Sequence, residues 1–477
     1  MLSQFMLRIL QPRGRAVSLR LLNRYWKIDS ISRGHRQSAV ASGNAERLRS
    51  GREGRLAFFN HLFEEFGFGI GDTSDGSIIT LDFGAPGKPE LEGCIDILNK
   101  ATQHRMKTEN GYMFQYGCRR GDYKFRLQMS KFLTEEYDDE VDCGELLVTC
   151  GATNGLYMVA SMLFNRGDTV FIEDPSYFIA LEMFGKDLGM NVVPVPRNGE
   201  GINIEEFDKV LSEYQRASSH HPTEQRPYWS MVYLIPTFNN PKGTCLSTEK
   251  CEQIVKLARK YNILLFCDDV YNLLSYIPGE KPEDKPLPPP RRLFAYDKKT
   301  DPDYVGNVIS NGSFSKILGP GLRIGWMEAP LKVLDVIENS AFTMSAGGWN
   351  NYTSAILASA LELGLVSKHL LEKRKKYRDN LDSMYQVFMD DMPPGVKIFK
   401  PQGGFFIWIE FPEDIDTEKL RDVCEKEYSV SFVPGKSFST TGSFGNCARV
   451  AITYYERDVL VTAAKKICAA AKTFCKN

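Results

Sequence analysis

Short apolar runs recur through the middle of the chain, and each ends in turn residues or acids. They occupy 146–149, the first half of 168–178 (DTVFIEDPSYF), the start of 231–247 (MVYLIPTFNNPKGTCLS), 261–274 (YNILLFCDDVYNLL) and 305–309. Runs this short and this rich in β-branched and aromatic residues predict buried strands. Apolar positions at three- and four-residue spacing predict helices opening at 151–153, at 248 and at 331, and over 352–387 and 456–474. Residues 114–133 read as a turn entering an amphipathic helix, and 79–91 as a short strand entering a Gly/Pro turn. Alternation predicts strands in 396–411 and in 446–455.

Between these elements the pattern predicts surface. Residues 214–230 are polar and contain proline, and 278–303 is rich in proline and charge, an exposed and mobile insertion. The charged run from Lys368 to Arg378 is expected on an exposed helix face. Ser247 is placed to cap the helix that follows it, with Glu249 in the first turn. Residues 45–66 suggest a docking helix, and Gly67, Gly69 and Gly71 a flexible connection.

Charge removes several classes of function. The 477 residues include 59 Lys and Arg against 60 Asp and Glu, a net charge of −1, so no basic face for nucleic acid is expected. No apolar run approaches the ~18 residues of a membrane helix. Eleven cysteines without a C-x-x-C pair read as free thiols in a reducing compartment. No zinc spacing appears, and His220 and His221 read as a solvated loop pair, so no metal is expected. The G-K-S at 435–437 lacks the leading glycine of a phosphate loop, since Val430 stands there. Residues 1–40 differ from the rest: seven arginines face the single acid Asp29, and Leu2, Phe5, Met6, Ile9 and Leu10 can share one helical face. That composition is expected of a mitochondrial presequence, with a disordered basic tail as the alternative.

The candidate chemistry centres on 305–326. After the small residues Ser310-Asn311-Gly312-Ser313 comes Lys316, and seven residues on Arg323, with Gly321 and Gly325 beside it. A lysine partly withdrawn from water loses its proton readily and can form a Schiff base. Gly151-Ala152-Thr153 at a helix start offer unpaired N–H groups to an anion, although Thr153 could serve only as an N-cap.

This segment resembles the S-x-S-K motif of class I/II aminotransferases, pyridoxal phosphate enzymes of fold type I. Four further stretches are similar to the family's motifs: FQYGCRRGDYKFR from 114, NNPKGTCLS from 239 with Lys242 replacing a threonine, Asp268 to Tyr271 as D-x-x-Y, and Arg449 in NCARVAI. The resemblance implies an α/β fold, with a mostly parallel seven-stranded sheet in a large domain at 81–345, a smaller α+β domain at 346–477 and an arm at 41–80. It implies pyridoxal 5'-phosphate, an amino acid and a 2-oxo acid such as 2-oxoglutarate as substrates, and a homodimer with a shared active site. By position it assigns Lys316, Asp268 and Tyr271 to catalysis. Ala152, Thr153, Ser313, Ser315, Arg323 and Tyr116 of the partner subunit would hold the phosphate, Tyr177 would stack on the ring, and Asn240 would bond its phenolic oxygen. Arg449 would grip the substrate carboxylate, with the backbone of Gly84 close to the substrate. The pattern looks most like the aminoadipate, kynurenine and aromatic group. A C–S lyase or synthase uses the same residues. A regulator with this domain would carry a winged-helix module, for which the N-terminal composition gives no sign.

Overall fold

The computed structural model describes residues 78–475 except 110, 200, 219, 280–285 and 347. The expected presequence, the helix at 45–66, its glycine-rich connection and the arm before residue 78 lie outside the described residues.

The apolar runs assemble into one seven-stranded sheet. Across it lie Leu146–Thr149, Gly325–Glu328, Val308–Ser313, Leu264–Asp268, Met231–Leu234, Thr169–Ile172 and Asn191–Pro194. The last five are mutually parallel, and Gly325–Glu328 runs antiparallel to both of its neighbours. Every residue of the Met231–Leu234, Leu264–Asp268 and Val308–Ser313 strands is buried. Helices cover both faces, so these strands read as continuous apolar runs without alternation. A second, antiparallel sheet takes its strands in the order Lys397–Phe399, Phe406–Glu410, Cys447–Ala451, Val433–Pro434. Among the described residues no single helix is long and apolar enough to cross a membrane.

Several expectations are corrected. The strand expected at 305–309 runs instead over Val308–Ser313, through the small residues taken for a turn. Those residues stay extended because their polar groups find partners: Ser310 Oγ donates to Asp269, and Asn311 Nδ2 donates to the Ala152 carbonyl at 3.0 Å. Gly312 is needed because a Cβ there would lie 2.2 Å from the Trp326 ring. The helix expected over 352–387 is two helices, Asn351–Glu362 and Leu365–Asp391, meeting at a 77° bend. Gly364, at φ +65°, makes the left-handed break. The run 368–378 is not simply exposed, since His369, Lys373 and Arg374 are buried. Nor is the second half of the 278–303 insertion loose: Arg292 is 2% exposed and pairs with Glu328 through two 2.8 Å bonds. His220 is not a solvated partner of His221; its Nδ1 lies 2.9 Å from Asp168. Ser247 caps Thr248–Tyr261 as expected, accepting from the Lys250 N–H.

Candidate active site

The C-terminal ends of the parallel strands open onto the crevice where ligands of such sheets bind. Val308–Ser313 leads there into a one-turn helix, Phe314–Ile317, whose start is fixed by the Ser313 hydroxyl accepting the Ser315 N–H at 3.1 Å. This turn presents Lys316. Its Nζ donates to the Gly84 carbonyl at 2.5 Å and lies 5.6 Å from the centre of the Phe405 ring. Withdrawal from water, then the positive charge of Arg449, brings the amine down to about 8, against the opposing pull of Asp268.

Asp268 ends the central strand. The Tyr233 hydroxyl donates to its Oδ2 at 2.7 Å and Asn311 Nδ2 to its Oδ1 at 3.4 Å. Burial raises the carboxyl to about 6, while these bonds and Lys316 hold it down. Asp269 faces a different environment: it accepts from Ser310 Oγ at 2.5 Å, and burial pushes it to about 7. Tyr271 is buried and hydrogen-bonds the Asn240 side chain. Tyr177 stands at the N-terminus of Phe178–Glu182, its hydroxyl raised by burial and by Asp268.

Arg449 sits in the Cys447–Ala451 strand, opposite Trp408 and Val433. Its Nη1 donates to Asn240 Oδ1 at 2.9 Å and its Nη2 to the Asp82 carbonyl at 2.6 Å, while its buried Nε has no partner among the described residues. Three rings surround the guanidinium: Phe406 at 4.0 Å, Phe438 at 4.9 Å and Phe178 at 5.9 Å. Burial lowers its pKa to about 10. A buried cation that forms no ion pair among the described residues is costly; the donor left over suits an anion that arrives from outside. Gly84, on the same side, has no room for a side chain, since a Cβ would meet Phe406 at 2.5 Å.

The helix Ala152–Leu163 opens at Gly151, at φ +91°, so Gly151 and not Thr153 is the N-cap. A Cβ on Gly151 would lie 2.9 Å from Arg323 Nη2. Arg323 donates to the Cys150 carbonyl at 3.3 Å and to Ser315 Oγ at 3.5 Å, and the Ser313 and Ser315 hydroxyls are 2.9 Å apart. A helix start, a guanidinium and two hydroxyls thus lie close together beside Gly151, an arrangement that suits an anion. Tyr116 is 78% exposed, so one chain does not enclose it in this group. Sequence reasoning missed Tyr233 and Asn311, which hold Asp268, and the Asp82 carbonyl. A hydroxyl inside the apolar run MVYLI was the available signal for Tyr233.

The family model for aminotransferase class I and II matches residues 78–467. The chain belongs to that family. It is similar to aromatic-amino-acid aminotransferase 1 of Thermococcus litoralis, 28% identical over 399 residues that cover 83% of this chain and 88% of the relative. The mitochondrial kynurenine/alpha-aminoadipate aminotransferase of Rattus norvegicus is 31% identical over 63% of this chain and 67% of its own. Among solved structures, Pyrococcus horikoshii kynurenine aminotransferase, in complex with PMP and with KYN and KYA, superposes with a TM-score of 0.71 at 27% identity, covering 84% and 92%. The fold is therefore fold-type I, the activity transfer of an amino group, and the cofactor pyridoxal phosphate. The aminotransferase's own residues fit that cofactor: an amine drawn below the ordinary lysine range, a guanidinium and helix start at Gly151 that suit an anion, and a buried carboxyl whose charge acts on the amine.

Proposed function

We propose that this aminotransferase uses Lys316 as its proton carrier and Arg449 as its carboxylate clamp, on amino donors of aromatic or kynurenine type, with a 2-oxo acid such as 2-oxoglutarate as acceptor. The observation that carries the reading is Arg449: buried, without a partner at Nε among the described residues, and ringed by Phe406, Phe438 and Phe178. A carboxylate would replace the Asp82 carbonyl with a two-pronged partner, a geometry that lysine cannot copy. The aromatic surroundings favour a flat apolar side chain over a second acid.

When bound, pyridoxal phosphate supplies an electrophilic carbon for the amino group and a conjugated ring that withdraws electrons from Cα. The chain's residues do the rest. Ser313, Ser315, Arg323 and the N–H groups at Ala152 and Thr153 would hold the phosphate, and Tyr116 of the partner subunit would complete its shell. Asp268, ionised above about pH 6, would keep a proton on the ring nitrogen. Asn240 and Tyr271 would bond the phenolic oxygen, and Tyr177 would cover a ring face. Lys316 Nζ, near 8, is basic enough to take the Cα proton and acidic enough to return it.

We read a large domain at 81–345 and a small one at 346–477, a division supported by the separation of the seven-stranded from the four-stranded sheet. A homodimer is supported by the exposed aromatic residues Phe114, Tyr116 and Tyr352, with Phe114 stacked on Tyr352 at 5.8 Å. Residues 1–40 would act as a mitochondrial presequence, in keeping with the rat relative's location. Amino donors offered one at a time with 2-oxoglutarate test the substrate reading. Glutamate formation from kynurenine, phenylalanine and tyrosine is expected; turnover confined to small or acidic donors would overturn it.

A further inference from the structure

The long helix Leu365–Asp391 sends three buried polar side chains to carbonyls just downstream of the active-site residues. Lys373 Nζ donates to the carbonyls of Ile317 and Leu318, each at 3.3 Å. Arg374 Nε donates to the Leu273 carbonyl at 2.6 Å while its Nη1 pairs with Glu136. Asn380 Nδ2 donates to the Ile452 carbonyl at 3.0 Å. Leu273 follows Tyr271, Ile452 follows Arg449, and Ile317 and Leu318 directly follow Lys316.

We propose that Lys373 is a positioning residue for Lys316, holding in place the one-turn helix that presents the amine. The inference rests on the assignment of Lys316 given above. A helix of four residues holds itself weakly: the Leu318 N–H to the Phe314 carbonyl, at 2.8 Å, closes its turn, and its last carbonyls have no partner within the helix. Lys373 supplies those carbonyls with a charged donor, and Cys94 Sγ adds a second donor to Leu318 at 3.3 Å. Lys373 is only 3% exposed and forms no ion pair among the described residues. Its neighbour Glu90 is engaged by Lys376 at 2.5 Å. An ammonium buried on those terms is a poor device for stability alone, where an apolar side chain would do as well. Its value lies in where it holds the chain. One turn along, Tyr377 packs on Phe405, the same ring that stands 5.6 Å from Lys316 Nζ, so one helix face reaches the lysine by two routes.

The test uses Lys373→Met, with Lys373→Arg as rescue and the exposed Lys375→Met as control. Two readouts are taken: hydrogen exchange of the peptide spanning 314–319 in cofactor-free protein, and kcat against KM of the loaded enzyme. Lys373→Met should speed exchange at 314–319 by about tenfold or more, the worth of a charge-assisted bond, with the Leu264–Asp268 strand unchanged. It should lower kcat by about tenfold with KM for the donor near that of the parent. Lys373→Arg should recover most of both losses, and Lys375→Met should move neither. Unchanged exchange and kcat in Lys373→Met overturns the proposal. So does its failure to fold together with that of Lys373→Gln, which would make Lys373 structural. Borohydride reduction of the loaded parent, followed by peptide mapping, separates the two layers. A pyridoxyl label on another lysine sinks the Lys316 assignment itself. A label on Lys316 with an indifferent Lys373 sinks only this proposal.

Discussion

The carbonyl of Asp82 accepts a hydrogen bond from Arg449 Nη2 at 2.6 Å. Two residues on, the carbonyl of Gly84 accepts from Lys316 Nζ at 2.5 Å. One short stretch of backbone thus answers both cations, while Arg449 Nε stays unsatisfied among the described residues. A carbonyl is a weaker partner for a guanidinium than a carboxylate, so a substrate can displace it.

Arg449→Lys follows from that arrangement. Lysine keeps the charge and loses the fork, so kcat/KM should fall by roughly 10²-fold, about 3 kcal/mol of transition-state binding, for every donor and every 2-oxo acid alike. The variant should fold and bind pyridoxal phosphate normally. Steady-state kinetics across a donor panel, read beside a thermal melt, checks it; a lowered melting temperature with intact kinetics would assign Arg449 to structure.

Asp268 and Asp269 are neighbours with different partners, and their asparagine variants should diverge. Asp268 faces Tyr233, Asn311 and Lys316, whereas Asp269 is bonded to Ser310 and sits near Arg292. Asp268→Asn should cost roughly 10²-fold in kcat, because no anion remains to hold the ring protonated. Asp269→Asn should be mild in kcat, since a carboxyl raised to about 7 is already partly neutral. Equal losses in kcat would place the wrong acid in the site.

The legible positions share a feature. Lys316, Asp268, Asn240 and Arg449 are polar residues in or just after apolar strand-like runs, where a charge or amide stands out. Asn311 was illegible for the opposite reason. In Ser-Asn-Gly-Ser it looks like a turn, and only Asp268 and the Ala152 carbonyl, distant in sequence, make it tolerable in a buried strand. Lys373 was hidden within a run of charges, because spacing along a helix does not say which of six neighbouring cations turns inward. The Gly364 break likewise sits in a continuous helical pattern that a glycine interrupts only once the packing of both halves is known.

Tyr116 tests assembly. If it completes the phosphate site of a second copy, mixing Tyr116→Ala chains with Lys316→Ala chains should yield hybrids with one intact site. Activity should recover toward about a quarter of the parent value for random exchange, since half the dimers are hybrid and each hybrid keeps one of its two sites. Light scattering establishes that hybrids can form, and mass spectrometry that they do. Hybrids without recovery would confine Tyr116 to its own chain.

The titration of Lys316 tests the electrostatics of the site with no cofactor present. Its amine is drawn from 10.5 to about 8, first by withdrawal from water and next by Arg449, with Asp268 opposing. Only the neutral amine reacts with an acylating reagent, so labelling of Lys316 should rise with pH and level off above about pH 8, whereas an ordinary lysine keeps gaining to about 10.4. Asp268→Asn removes the anion that favours the ammonium, so the midpoint should fall. Replacing Arg449 with methionine removes a like charge, so the midpoint should rise. The same shift has a stability consequence of fixed sign. Between about pH 8 and 10.5 the unfolded chain holds a proton at this site that the folded chain has lost, so this site's contribution to stability rises with pH across that window and is least favourable below it. Peptide-resolved acylation at a series of pH values gives the midpoint directly. A midpoint near that of a surface lysine, unmoved by Asp268→Asn, would mean that the amine is solvated and that the site does not prepare it for proton transfer.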